Sequence, residues 1–230
     1  METARDVYSP SVRRVLELPR PVWRGRMHLW AIPVAIIAGI AIVVVADSAL
    51  ARFTAVLYGL GTVGLYLVSA AAHYKIWEPA RLHMLFQLDH SMIMLFIVAS
   101  TAPIALVAMG GGWGTVLFSG MVIAVLLGLM MVWLPFHPPR GFMNALFISI
   151  GWWPVLFVVL LARSLGAGGM ALLLGGGLIF TVGAVIVGSQ RPDPNPRVFG
   201  YHEIWHVLVI LGNAVHFALM WVIVTGGTPI

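Results

Sequence analysis

His202 and His206 stand four residues apart in His202-Glu-Ile-Trp-His206, at the head of an apolar stretch. On a helix that spacing puts both imidazoles on one face, one turn apart. The same arrangement supplies two metal ligands in the His-x-x-x-His helices of soluble metalloenzymes. His73 closes another apolar stretch in Ser69-Ala-Ala-Ala-His73, and Asp89 stands near the head of the next one. Ionisable groups in membrane spans are costly, so they seek partners and mark functional sites. Zinc takes imidazole readily, and a catalytic zinc commonly has three protein ligands with one position left open. His73, His202 and His206 are the expected ligands.

Asp89 offers a carboxylate that could ligate the metal, orient a ligating imidazole or activate a water. Its other reading is an N-terminal cap on the third helix. Ser69 lies one turn from His73 on the same face, where it could bond a water or a ligand. A bond to a helix carbonyl, or close helix packing, explains it equally well. Glu203 follows the first histidine, the place of a general base in the soluble motif, yet a neighbour in sequence need not face the metal.

The elements that must position these groups are membrane helices. The 230 residues are 60% hydrophobic and 9% charged, against roughly 25% charged for a soluble domain. Cysteine is absent, which excludes disulfides, thiolate zinc sites and iron–sulfur clusters. Apolar runs fall at about 28–47, 53–73, 88–109, 114–134, 142–162, 168–188 and 201–225. Each has about the twenty residues a helix needs to cross the hydrocarbon core. Gly110-Gly-Gly-Trp-Gly114 divides the longest charge-free stretch, and Pro135-Phe-His-Pro-Pro139 ends it. The expected fold is an all-α bundle of seven transmembrane helices. It comprises an arm over 1–27, the bundle over 28–225 and a short tail over 226–230.

Arginine and lysine set the expected orientation. The arm holds Arg5, Arg13, Arg14, Arg20, Arg24 and Arg26; alternate loops add Lys75, Arg81, Arg140, Arg191 and Arg197. Only Arg52 and Arg163 fall on the other side. A cytoplasmic N-terminus and an external C-terminus follow, with the histidine-bearing helix ends cytoplasmic. Dispersed basic residues of this kind signal topology, and no nucleic-acid partner is expected. Ser11-Val-Arg13-Arg14 faintly resembles a twin-arginine signal, but Pro19 and Pro21 interrupt it, and an interfacial arm is the better reading. Gly175-Gly-Gly177 and Gly183 mark close packing of the sixth helix.

The other histidines carry less. His28 and His83 fall at cytoplasmic boundaries and read as interfacial, and His137 sits in a proline-rich loop. His90 projects about 100° away from Asp89. His216 lies about 21 Å beyond His202 along a helix, too far to share its metal.

The Ser69-to-His73 motif, Leu88-Asp89-His90-Ser91, Thr101-Ala-Pro103 and Phe199-Gly-Tyr-His202-Glu-Ile-Trp-His206 occur in order along nearly the whole chain. Together they resemble the hemolysin III branch of the progestin and adiponectin receptor family. The resemblance implies seven helices, a cytoplasmic N-terminus and zinc held by His73, His202 and His206. It also implies Asp89 beside the metal's water and Ser69 as the motif serine. One segment departs from the pattern: Trp23-Arg-Gly-Arg-Met-His28 keeps a histidine but lacks the Glu and Asn that many members carry.

Several functions compete. The first is a zinc-dependent, ceramidase-like hydrolase of lipid amide or ester bonds, with membrane lipid as its substrate and Asp89 and Ser69 as its catalytic residues. The second is a non-enzymatic membrane sensor or a pore-forming cytolysin with structural zinc. The third, a b-type haem protein with axial histidines, suits two histidines on one helix face poorly.

Overall fold

The computed structural model describes residues 20–134 and 141–226. The arm before Arg20, His137, Arg140 and residues 227–230 lie outside the described residues, and with them the twin-arginine motif. Among the described residues the chain is all helical, without strands. The helices are α1 (Arg26–Val45), α2 (Ala49–Tyr74), α3 (Pro79–Ala102), α4 (Gly111–Trp133), α5 (Phe142–Gly151), α6 (Val158–Ser189) and α7 (Tyr201–Val224). A π-helical turn over Pro103–Met109 extends α3, and a 3-10 turn over Trp153–Phe157 joins α5 to α6. Among the described residues six helical stretches are long and apolar enough to cross a membrane.

The burial pattern is that of a membrane protein. Trp30, Val34, Ile37, Leu60 and Ile123 are exposed, while His28, Ser69, His73, Glu203, His206, Asn213 and His216 are buried. Apolar side chains outside and polar ones inside suit a bundle solvated by lipid. The main apolar core includes Ile42, Leu117, Leu161, Leu219 and Met220.

One sequence expectation needs revision. Helix α3 begins at Pro79, not near 88. Proline is at home in the first turn of a helix, and the run from Ala80 to Gln87 contains no breaker. Asp89 therefore sits well inside α3, and the capping reading is excluded. The fifth and sixth expected spans fall together in one 48-residue stretch, Phe142–Ser189. Within it Gly166 leaves helical geometry at φ 63° and ψ −175°, a conformation that needs glycine. Asn144 lies against Gly188, and Trp152 Nε1 donates to Thr181 Oγ1 at 2.8 Å.

Candidate metal centre

Three helix ends and the interior of a fourth helix meet at one end of the bundle. His28 lies in the first turn of α1 and His73 in the last turn of α2. His202 and His206 occupy the first two turns of α7, and Asp89 projects from α3.

A short strap fixes this end. Backbone N–H groups of Val22 and Trp23 donate to the carbonyls of Arg197 (3.0 Å) and Val198 (3.2 Å), tying the strap to the loop before α7. The Arg20 guanidinium donates to the His73 carbonyl. Burial, with Arg24 and Arg26 nearby, lowers the Arg20 pKa from its ordinary value. Gly25 takes φ 75° where the strap crosses the end of α2, and a Cβ there would lie 2.6 Å from the Tyr74 nitrogen. Arg24 Nε donates to Glu203 Oε1 at 2.7 Å. Glu203 Oε2 accepts from the Gly200 N–H at 2.9 Å, satisfying one orphan donor at the start of α7. Glu203 is thus turned toward Arg24 and the helix start, away from the role of general base.

The three expected ligands come together. The ligand atoms of His73, His202 and His206 all lie within 4.8 Å of one another. His73 Nε2 and His202 Nε2 are 3.3 Å apart. The corners of a zinc tetrahedron with bonds of about 2.0–2.1 Å are separated by about 3.3–3.4 Å. The donor set is three imidazoles, two of them buried, a set that zinc accepts. Asp89 Oδ2 lies 3.3 Å from His73 Nε2. With His73 Nε2 as a ligand atom, that position allows Asp89 to ligate as well or to accept a proton from a water at the site.

Ser69 is buried and lines a cavity beside Asp89 and His28. Ser91, Ser100 and Thr101 donate to helix carbonyls; among the described residues Ser69 makes no such bond. The cavity, about 130 Å³, runs between mostly apolar walls to Phe180 and His216.

His28 corrects the interfacial reading. It is only 2% exposed. Its ring stacks on His206 with centroids 4.2 Å apart and planes 8° from parallel. Tyr66 packs nearby at 4.9 Å. Neither ring nitrogen has a hydrogen-bond partner. A histidine opening an apolar stretch on the same membrane face as the other three was the signal for it. Elsewhere, His90 turns to Phe147, with centroids 5.6 Å apart, and His83 is half-buried. His216 stands apart from the cluster, as its spacing requires.

The family described as "Haemolysin-III related" matches residues 16–217. This chain belongs to the hemolysin III family. It is 31% identical to Hemolysin-3 of Bacillus cereus over 173 residues, 74% of each chain. It is 30% identical to a Hemolysin-3 homolog of Bacillus subtilis (strain 168) over 165 residues, 70% of this chain and 72% of that one. The human Monocyte to macrophage differentiation factor is 27% identical over 199 residues, 84% of this chain and 80% of its own length. These matches agree with the progestin and adiponectin receptor resemblance of the ordered motifs. As a hemolysin III protein with its apolar helices, the chain is a multi-pass membrane protein.

Proposed function

We propose that this hemolysin III protein is a zinc-dependent membrane hydrolase acting on the amide or ester bond of a lipid. The observation that carries the reading is a three-histidine cluster with a carboxylate beside it, where that carboxylate, with Ser69 and His28, also lines a cavity of mostly apolar walls. His73, His202 and His206 would hold zinc. Zinc, when bound, supplies a Lewis acid that polarises a carbonyl and acidifies water. Asp89 takes the proton from the attacking water at Oδ2 and returns it to the departing amine or alcohol. The water oxygen bonds to the acyl carbon first, and the bond from that carbon to the amine or alcohol then breaks, giving a fatty acid and the free amine or alcohol. Ser69 donates its hydroxyl to the developing oxyanion. His28 offers a second uncommitted donor beside it, while its stacked ring steadies His206. The cavity walls exclude bulk water and seat the acyl chain.

In this reading the chain crosses the membrane seven times. At 1.5 Å per residue, the 48 residues of Phe142–Ser189 would extend about 70 Å, more than twice the hydrocarbon thickness. The Gly166 break and the pairing of Asn144 with Gly188 favour two antiparallel spans. The basic strap and loops favour a metal end on the cytoplasmic side of a bacterial cell membrane, with the C-terminus external.

A sensor with structural zinc is the second reading. Its support is the 3.3 Å separation of Asp89 from His73, which equals the His73–His202 separation and suits a fourth ligand. The names of the bacterial relatives speak for a cytolysin, but the exposed faces of the helices are apolar, whereas a pore needs a polar stripe. Asp89→Asn discriminates. In a hydrolase it keeps zinc near the wild-type level and lowers turnover of a long-chain N-acyl amide by roughly 10²-fold or more. Zinc loss on that change, with no hydrolysis by the parent across a panel of lipid amides and esters, would reject the hydrolase in favour of the sensor.

A further inference from the structure

We infer that Asn213 is a positioning residue: its hydrogen bonds to Tyr66 and Tyr58 lock the register of α7 against α2, so that His206 meets His73 at metal-binding distance. The inference rests on the reading of the histidine cluster as a metal centre and adds what fixes its dimensions.

Two helices supply the candidate ligands, His73 from α2 and His202 and His206 from α7. Their spacing is only as well defined as the register between those helices. A slide by the rise of one residue shifts one helix past the other by about 1.5 Å. A metal site accepts bond lengths within about 0.2 Å of the ideal. Apolar packing alone sets register weakly in a bilayer, because lipid solvates the same side chains as well as a neighbouring helix does. A hydrogen bond between helices forms at one register only.

Asn213 makes two such bonds. Its Nδ2 donates to Tyr66 Oη at 2.9 Å, and its backbone carbonyl accepts from Tyr58 Oη at 3.3 Å. All three residues are buried. Among the described residues no other side-chain hydrogen bond joins α2 to α7 outside the histidine cluster. The placement is matched on both helices. Tyr66 precedes His73 by seven positions and Asn213 follows His206 by seven, so each stands two turns from a ligand on the ligand's own face. The brace therefore lies about 10 Å beneath the contact between His73 and His206, whose ring centroids are 5.2 Å apart. Tyr66 also reaches the site sideways. Its ring packs on His28 at 4.9 Å, and His28 stacks on His206 at 4.2 Å.

Stability is a poor account of Asn213. Among the described residues its buried Oδ1 has no hydrogen-bond partner, and a buried polar atom without one costs free energy. Replacing both members of the Asn213–Tyr66 pair by apolar residues of similar shape removes that cost. Register and stability therefore respond to the same change in opposite directions.

The test measures zinc affinity of the purified full-length protein in detergent, by competition with a chromophoric chelator, beside the melting temperature of the zinc-free protein. In Tyr66→Phe/Asn213→Leu zinc should bind roughly three- to tenfold more weakly, the weight of one net hydrogen bond, while the zinc-free melting temperature holds or rises. The Tyr58 bond survives in that variant because the backbone accepts it, which keeps the loss moderate. Tyr66→Phe alone should weaken zinc in the same direction, with its ring still on His28. Thr181→Val removes the Trp152–Thr181 bond, which lies outside the α2–α7 contact, and should leave zinc affinity within about twofold of wild type. Unchanged zinc affinity in the double variant, with a lower zinc-free melting temperature, would make the pair structural and overturn the positioning role. An equal loss of affinity in Thr181→Val would overturn it too. Tight zinc binding by the wild type beside either result would leave the metal centre standing, whereas a wild type that takes up no zinc would overturn both.

Discussion

Arg24 and Glu203 join the strap to the first turn of α7, and that turn carries two of the three metal-site histidines. Glu203 is 2% exposed and Arg24 15%, with a single 2.7 Å contact between them. Removing one partner of a buried pair commonly costs about 3–5 kcal/mol, because the other charge is stranded. Arg24→Met belongs at the low end, about 3 kcal/mol, since Glu203 Oε2 keeps its bond from the Gly200 N–H. At about 2–4 °C per kcal/mol for a chain of this size, the melting temperature should fall by about 6–12 °C. Glu203→Gln leaves one acceptor oxygen for two donors, Arg24 and Gly200, and should cost about 1–3 kcal/mol. The double variant Arg24→Met/Glu203→Met strands neither charge, so it should lose less than the sum of the matching single changes by about 1–3 kcal/mol. The assay is thermal unfolding in detergent followed by tryptophan fluorescence. Zinc must be held fixed, because a metal bound to the folded state raises the midpoint. Additivity within about 0.5 kcal/mol would refute the coupling.

His28→Phe keeps the stacked ring on His206 and removes two unpartnered nitrogens; the metal-free protein should melt at an unchanged or higher temperature while lipid turnover falls. A lower melting temperature with full turnover would make His28 a structural residue. The topology can be read with single cysteines, since the chain has none of its own. Ser164→Cys, beside the Gly166 break, should react with an impermeant maleimide from outside intact cells, and Asp193→Cys should not. Labelling of Asp193→Cys alone would reverse the proposed orientation.

The parts of the site that obey helical periodicity were legible in the sequence. His202 and His206 share a face because they are four apart, and their helix starts where the charged loop ends. His73 and Asp89 could be brought to them because alternate span ends share a membrane face. What was not legible depends on how helices pack. His28 looked interfacial because its burial comes from the stack on His206, a contact between α1 and α7 that no local pattern encodes. Glu203 was ambiguous because its partner lies 179 positions away, in a strap that takes its place only by pairing with the loop before α7. The cap stood as an alternative for Asp89 because the apolar run begins at Leu88, whereas the helix begins at Pro79. Hydropathy marks the membrane-embedded part of a helix, and the hydrogen-bonded ends extend beyond it.

Metal stoichiometry on purified protein tests the central claim most directly. The wild type should carry about one zinc per chain, as a three-histidine site requires. His73→Ala, His202→Ala and His206→Ala should each lose most of it, while His216→Ala should keep it. Zinc absent from the wild type, or lost equally in all four variants, would contradict the metal centre and the hydrolase built on it.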